Sequence, residues 1–147
     1  MTDVTRDGNR GTRRTRILCV DDHVEIRRLF ELVMRDNPEF EVVGTSEGAE
    51  ELEARVEELS PDVVILDLSM YGRDPLDAMR SVKERIPGTR FLVSSSWDDE
   101  ETIDRAFQAG ASGYLVKEGN FDALADAIRR VAKDEKVVPA RRTPGSH

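Results

Sequence analysis

Five polar residues of this sequence lie one or two positions after the end of a short apolar run. They are Asp21, Asp22, Asp67, Ser95 and Lys117. If the runs are parallel strands of one sheet, all five residues lie on one rim, at the carboxyl ends where open α/β sheets bind ligands. Three neighbouring carboxylates raise one another's pKa values unless a cation neutralises them. The set therefore predicts a site for a hard divalent ion, and Mg²⁺ suits oxygen ligands that leave room for water and phosphate.

An acceptor carboxylate, a metal site and hydrogen-bond donors together are what phosphoryl transfer requires. Asp67 stands alone after the central apolar run and is the predicted phosphoacceptor. Asp21 and Asp22 are predicted to hold Mg²⁺. Lys117 would pair first with the acceptor and later with a phosphoryl oxygen, to which Ser95 would donate a hydrogen bond. This chemistry needs no histidine or cysteine side chain.

The elements that position these residues follow from the apolar pattern. Five short, β-branched runs predict strands because each is too short for a helix. The runs are Ile17 to Val20, Phe40 to Gly44, Val63 to Leu66, Phe91 to Val93 and Tyr114 to Val116. Between and after them the apolar period changes to about 3.6 residues, which predicts five amphipathic helices. Asp98 and Asn120 are expected to cap the fourth and fifth of these helices.

Alternation of strands and helices predicts a mostly parallel sheet covered on both faces, since parallel neighbours need crossover connections. Uninterrupted apolar runs suit burial on both faces, whereas Glu41 within the second run places that strand at an edge. The predicted fold is a doubly wound α/β domain. Its five-stranded parallel sheet has the order 2-1-3-4-5 and is flanked by five helices.

Length and composition limit the classes of protein. The chain has 147 residues, 30 acidic and 22 basic, with a formal charge of −8, and this length fits one domain. The acidic residues concentrate in the body of the chain, which repels phosphate, so direct binding of nucleic acid is not expected. No apolar stretch reaches the roughly 18 residues of a membrane span and no signal peptide is apparent, which favours a cytoplasmic protein.

The two ends of the sequence differ from its middle. Residues 1–14 and 137–147 lack hydrophobic periodicity and are polar, which predicts a flexible N-terminal extension and a flexible C-terminal tail. The domain is predicted to occupy residues 15–136.

Four motifs, in order along the chain, resemble those of the bacterial response-regulator receiver domain. They are Val20-Asp21-Asp22-His23, Val63 to Met70, Ser95, and Ala109 to Lys117. The resemblance implies a flavodoxin-like fold and a two-component or phosphorelay role, in which a histidine kinase or phosphotransfer protein phosphorylates Asp67. It also implies that Asp22, Asp67 and the backbone carbonyl of Ser69 bind Mg²⁺, with Asp21 assisting through water. No turnover is implied beyond the domain's own phosphorylation and dephosphorylation.

The resemblance further implies a switch with a protein-binding output face. The family pairs its Ser/Thr residue with an aromatic residue on the fifth strand, here Ser95 and Tyr114. A phosphoryl group that draws Ser95 inward would vacate space for Tyr114. The fourth helix, fifth strand and fifth helix would then meet a downstream protein partner or an output domain.

Two segments depart from the family pattern. Residues 71–75 replace the usual Pro- and Gly-containing turn beside the acceptor, and Glu118 follows Lys117 where Pro is commoner. Glu118 and Trp97 are expected to control the access of water and kinase to the site. His23 is expected to lie beside the site without acting as a nucleophile or a metal ligand.

Two other functions compete with the receiver. An aspartate-nucleophile phosphohydrolase places a second acid two residues after its nucleophile, where this chain has Ser69, and is disfavoured. A receiver-like protein-interaction module that works without phosphorylation stays open because of the departures at Tyr71 and Glu118. The sequence also leaves open whether the chain is a single-domain regulator or a part of a longer one.

Overall fold

The computed structural model of the chain describes residues 13–117 and 120–139. Within these residues, five strands alternate with five helices. The strands are β1 (Thr15–Val20), β2 (Phe40–Ser46), β3 (Val63–Asp67), β4 (Arg90–Ser95) and β5 (Gly113–Val116). The helices are α1 (Val24–Arg35), α2 (Leu52–Leu59), α3 (Pro75–Arg85), α4 (Glu100–Gln108) and α5 (Phe121–Ala132).

The strands form one parallel sheet in the order β2-β1-β3-β4-β5, which confirms the predicted fold. β2 lies at an edge, as its charged residue predicted. Its pairing with β1 is irregular: Ile17 faces Val42 and Leu18 faces Gly44, so Val43 is an extra residue in a bulge. A Cβ at Gly44 would lie 2.8 Å from Leu59 Cδ1, so glycine lets α2 pack closely on this strand.

Two hydrophobic layers cover the sheet because successive strand residues point to opposite faces. Leu18 and Val20 of β1 pack on one face with α2, α3 and α4. Ile17 and Cys19 pack on the other face with α1 and α5. β1 and β3 are therefore buried on both sides, and the polar residues at their ends lie at the carboxyl edge of the sheet.

Three helices begin at side-chain caps. Asp74 accepts a hydrogen bond from the backbone N–H of Leu76 (2.9 Å), and Asn120 accepts one from Ala123 (3.1 Å). The cap predicted for the fourth helix is wrong by one residue. Asp99, rather than Asp98, precedes α4 and accepts from the backbone N–H of Thr102 at 3.0 Å.

Helix α1 buries less of its apolar surface than its periodicity indicates. Phe30 and Met34 are buried against the sheet, with 2% of their surface exposed. The remaining large apolar side chains of α1 are 38–57% exposed; they are Val24, Ile26, Leu29, Leu32 and Val33. We call these five residues the α1 apolar face.

The packed part of the chain extends past the predicted C-terminal boundary. The sequence places Val137 in the predicted flexible tail, but the residue is buried and belongs to the layer that contains α1 and α5. Its carbonyl accepts a hydrogen bond from the N–H of Tyr114 (2.9 Å), and it forms a bridge with Gly113. In the described part of the chain, none of the helices has the length and apolarity needed to cross a membrane.

Candidate functional site

Three strand ends bring the predicted acidic and basic residues together. Asp21 and Asp22 follow β1, Asp67 ends β3, and Lys117 follows β5. The Lys117 ammonium Nζ lies 2.8 Å from Asp21 Oδ2 and 3.4 Å from Asp67 Oδ1. Its backbone N–H donates to the carbonyl of Ser95 (2.8 Å), which extends the pairing of β5 with β4 beyond the last strand residue. The lysine thus reaches both carboxylates from a neighbouring strand end.

Asp67 is buried and incompletely hydrogen-bonded. Only 2% of its surface is exposed, and burial raises the pKa of its carboxyl even though the Lys117 ammonium opposes that shift. Oδ1 accepts from the backbone N–H of Ser69 at 3.2 Å. Within the described residues, Oδ2 has no hydrogen-bond partner. A buried carboxylate oxygen without a partner is costly, which marks it as a position for a bound cation or a reacting group.

Asp21 is also buried, but both of its oxygens are used. Oδ2 accepts from Lys117, and Oδ1 accepts from the backbone N–H of His23 (3.0 Å) and lies 2.8 Å from the His23 ring Nδ1. Burial opposes ionisation, yet the hydrogen bonds from Lys117 and His23 hold the pKa of Asp21 below its usual value. Asp21 and Lys117 therefore form a charged pair.

The donor set fits a divalent cation. Asp21, Asp22, His23 and Asp67 each offer one ligand atom, and these atoms all lie within 4.8 Å of one another. Asp22 Oδ1 is 3.1 Å from His23 Nδ1, but among the described residues nothing donates a hydrogen bond to it. Two buried carboxylate oxygens in one pocket thus lack donors, and oxygen ligands of this kind suit Mg²⁺.

The remaining predicted metal ligand is a backbone carbonyl. Ser69 lies two residues after Asp67 on the exposed side of the same loop. Its N–H contacts the Asp67 carboxylate, whereas the role of its carbonyl as a ligand stays a prediction.

Ser95 and Tyr114 are linked through the backbone of Trp97. Both side chains are fully buried. The Ser95 hydroxyl oxygen accepts from the N–H of Trp97 (3.1 Å), and the Tyr114 hydroxyl donates to the carbonyl of Trp97 (2.6 Å). Burial raises the pKa of the Tyr114 phenol. The Trp97 side chain is 58% exposed at the rim, whereas Glu118 lies outside the described residues.

Two arginines support the rim and were not predicted. Arg27 Nη1 donates to the backbone carbonyl of Asp21 at 2.6 Å and so fixes the first acidic residue from inside α1. Arg73 binds α2 from the loop after β3. Neither belongs to a motif, and each reaches a partner that sequence spacing does not reveal.

The structure is a doubly wound α/β domain that has an acidic pocket, a buried aspartate and a lysine at the carboxyl ends of its strands. The sequence model of the response regulator receiver domain matches residues 17–129. The chain belongs to this family, as the four motifs predicted.

Relatives and solved structures agree with this assignment. The transcriptional regulatory protein DegU of Brevibacillus brevis is 38% identical over 117 residues, which are 80% of this chain and 50% of that protein. The crystal structure of a two-component response regulator of the LuxR family from Aurantimonas sp. SI85-9A1 is 28% identical, with a TM-score of 0.80. The matched region covers 85% of the present chain and 89% of the Aurantimonas chain.

The signal receiver domain of the putative response regulator NarL from Mycobacterium tuberculosis is 27% identical, with a TM-score of 0.77. The matched region covers 82% of the present chain and 97% of the NarL receiver chain. By contrast, the chain spans only about half of the length of DegU and 60% of that of another curated relative, LiaR of Bacillus subtilis. The expectation that nucleic acid is not bound directly applies to these 147 residues and stays a prediction.

Proposed function

We propose that this receiver domain accepts a phosphoryl group on Asp67 from a phosphohistidine donor, either a histidine kinase or a phosphotransfer protein. The observation that carries the proposal is the buried carboxylate of Asp67. It has one oxygen without a partner among the described residues, and the other lies 3.4 Å from the Lys117 ammonium. A free oxygen beside a fixed cation and further carboxylates is suited to nucleophilic attack on phosphorus.

In the proposed reaction, a carboxylate oxygen of Asp67 attacks the phosphorus of phosphohistidine. The P–O bond forms as the P–N bond breaks, and the leaving imidazole takes up a proton. Asp22, Asp67 and the carbonyl of Ser69 would hold Mg²⁺, with Asp21 assisting through water, and the bound ion would supply positive charge that offsets the carboxylates and the phosphoryl oxygens.

Two side chains would then hold the phosphoryl group. Lys117 would exchange part of its contact with Asp67 for a phosphoryl oxygen. Ser95 uses its hydroxyl oxygen as an acceptor for Trp97, and its hydroxyl proton would turn from the Tyr114 phenol to the phosphoryl group.

The switch would operate through Trp97. If Ser95 turns toward the phosphoryl group, it releases the N–H of Trp97, whose carbonyl holds the Tyr114 hydroxyl. The output face of α4, β5 and α5 contains that tyrosine. We expect the Tyr114 ring signals to shift when the domain is activated with beryllofluoride and Mg²⁺. Unchanged ring signals in activated protein would contradict this coupling.

The α1 apolar face is our candidate surface for the phosphodonor. Helix α1 begins at Val24, two residues after Asp22, so a helical partner that packs on Leu29 and Val33 would also reach the pocket. A Leu29→Ala, Val33→Ala double variant should lose most of its transfer rate from a purified kinase that phosphorylates the wild-type chain. Its reaction with acetyl phosphate should be unchanged. Equal slowing of both reactions would place the defect in the pocket instead.

Intact-mass measurement after incubation with Mg²⁺ and acetyl phosphate tests the proposed acceptor. The wild-type chain should gain one labile phosphoryl group, and Asp67→Asn should gain none. Asp77→Asn, which changes an exposed aspartate on α3, is the matched control and should react as the wild type does. Removal of Mg²⁺ by EDTA should prevent the gain.

The same measurement, together with an assay of phosphate release, separates the other functions. A folded wild-type chain that gains no phosphoryl group would favour an interaction module that works without phosphorylation. Sustained release of inorganic phosphate from added phosphoesters would favour a phosphohydrolase.

A further inference from the structure

One arginine ties the loop after β3 to helix α2. The guanidinium of Arg73 donates from Nη1 to Glu53 Oε1 and from Nη2 to Glu53 Oε2, both at 2.6 Å. Nη1 also contacts the carbonyls of Ala49 (3.4 Å) and Glu50 (3.5 Å), and the backbone N–H of Arg73 donates to Glu50 Oε2 at 3.1 Å. These contacts join two rim loops that are separated by about 20 residues in sequence. We call them the Arg73 clamp.

The clamp differs from the exposed ion pair that joins α2 to α3. The Glu53 side chain is only 15% exposed and accepts both guanidinium nitrogens, an arrangement with fixed geometry. Arg85 of α3 and Glu57 of α2 make a single contact of 3.1 Å, and both side chains are about half exposed. Exposed pairs of this second kind contribute little to stability.

The backbone of the loop passes close to the Glu50 carboxylate. Gly72 has φ = +90°, and a Cβ at this position would collide with the Glu50 carboxylate. Tyr71 is 92% exposed and gives the loop little packing. The beginning of the loop is held by the Ser69 N–H on Asp67, and its end by the Asp74 cap of α3.

We propose that Arg73 is a positioning residue for the cation site, because it fixes the loop that carries Ser69 against α2. The inference rests on the proposed function, in which the Ser69 carbonyl binds Mg²⁺. It concerns residues 71–75, the segment where the sequence departs from the family pattern. Without the clamp the loop samples more conformations, and the carbonyl must be ordered when the cation binds, which weakens binding.

Calorimetric titration with Mg²⁺ tests this role in the full chain. Arg73→Gln should raise the Kd about 10-fold, the lower end of the loss typical for residues that orient metal ligands. Arg73→Lys keeps the charge but loses the two-nitrogen contact, so its Kd should lie between those of the wild type and Arg73→Gln. Arg85→Gln removes the exposed ion pair between α2 and α3 and should leave the Kd unchanged.

Further measurements separate positioning from loss of fold. Each variant is titrated well below its own melting temperature, with circular dichroism as the check of folding. The rate of phosphorylation of Arg73→Gln by acetyl phosphate should be slow at low Mg²⁺ and return to the wild-type rate at saturating Mg²⁺. A merely structural role would lower the melting temperature without moving the Kd.

The outcomes are distinguishable from those of the proposed function. A folded Arg73→Gln variant with the wild-type Kd would overturn the clamp while leaving Asp67 as the acceptor. Failure of the wild-type chain itself to bind Mg²⁺ or gain a phosphoryl group would overturn the proposed function, and the clamp's role with it.

Discussion

The ion pair between Glu53 and Arg73 should make the stability of this domain depend on pH. The hydrogen bonds from the Arg73 guanidinium lower the pKa of Glu53 from 4.5 to about 2 in the folded chain. A carboxyl whose folded pKa is depressed stabilises the fold above its unfolded pKa and loses that effect as the pH falls through the folded value. The window for this residue therefore runs from about pH 5 down to about pH 2.

The magnitude follows from the size of the shift. A depression of about 2.5 pKa units corresponds to about 3 kcal/mol at neutral pH. The Arg73 side chain is 32% exposed, so solvent screens the pair and the effect should be nearer 2 kcal/mol. More than half of that contribution should be gone at about pH 3, where the unfolded carboxyl is protonated.

Urea unfolding of Glu53→Gln, Arg73→Met and the double variant measures the coupling energy in a double-mutant cycle. The coupling should be about 2 kcal/mol at pH 7 and less than half as large near pH 3. Glu57→Gln, which removes the exposed partner of Arg85, is the control and should cost under about 0.5 kcal/mol at neutral pH. A coupling energy that is the same at both pH values would refute the assignment of the lowered pKa to this pair.

Three further predictions concern burial. Met34→Ala should destabilise the domain by about 2 to 5 kcal/mol, whereas Leu29→Ala, with its side chain 43% exposed, should cost under about 1 kcal/mol in urea unfolding. Equal costs would mean that the α1 apolar face is covered in solution. Tyr114→Phe should cost about 1 kcal/mol, because it leaves the carbonyl of Trp97 without its donor, and no change in the unfolding midpoint would contradict that bond. Cys19 is buried with a pKa raised to about 12, chiefly by burial, so thiol reagents should modify it only in unfolded protein; labelling of the native chain would contradict its burial.

The sequence predicts the fold and the rim because both follow from local patterns. Side chains alternate along β1, so Leu18 and Ile17 lie on opposite faces of the sheet, and β3 alternates in the same way. The aspartates at the ends of these two strands must then lie at the carboxyl edge of the sheet. Lys117 reaches the same pocket from β5 because parallel strands end on the same side. None of these inferences depends on knowing a particular tertiary contact.

Other features depend on contacts between distant segments, and the sequence does not reveal them. The period of α1 predicts an amphipathic helix, but Leu29 on its apolar face is 43% exposed. Val137 looks like part of a polar tail until its bridge to Gly113 is seen. Arg73 and Glu53 are 20 residues apart, and nothing in their local patterns marks them as partners.

The three carboxylates of the pocket differ in how completely they are hydrogen-bonded. Asp21 is satisfied by Lys117 and His23, so its charge is already balanced by protein groups. Asp22 and Asp67 each keep an oxygen that nothing in the described chain satisfies, and this is the arrangement that a cation relieves. A single lysine charge cannot neutralise three carboxylates, so the pocket keeps a net negative charge that favours a bound cation. The unequal sharing of Lys117, 2.8 Å from one carboxylate and 3.4 Å from the other, supports the proposal that Asp67 is the carboxylate that binds a cation and reacts.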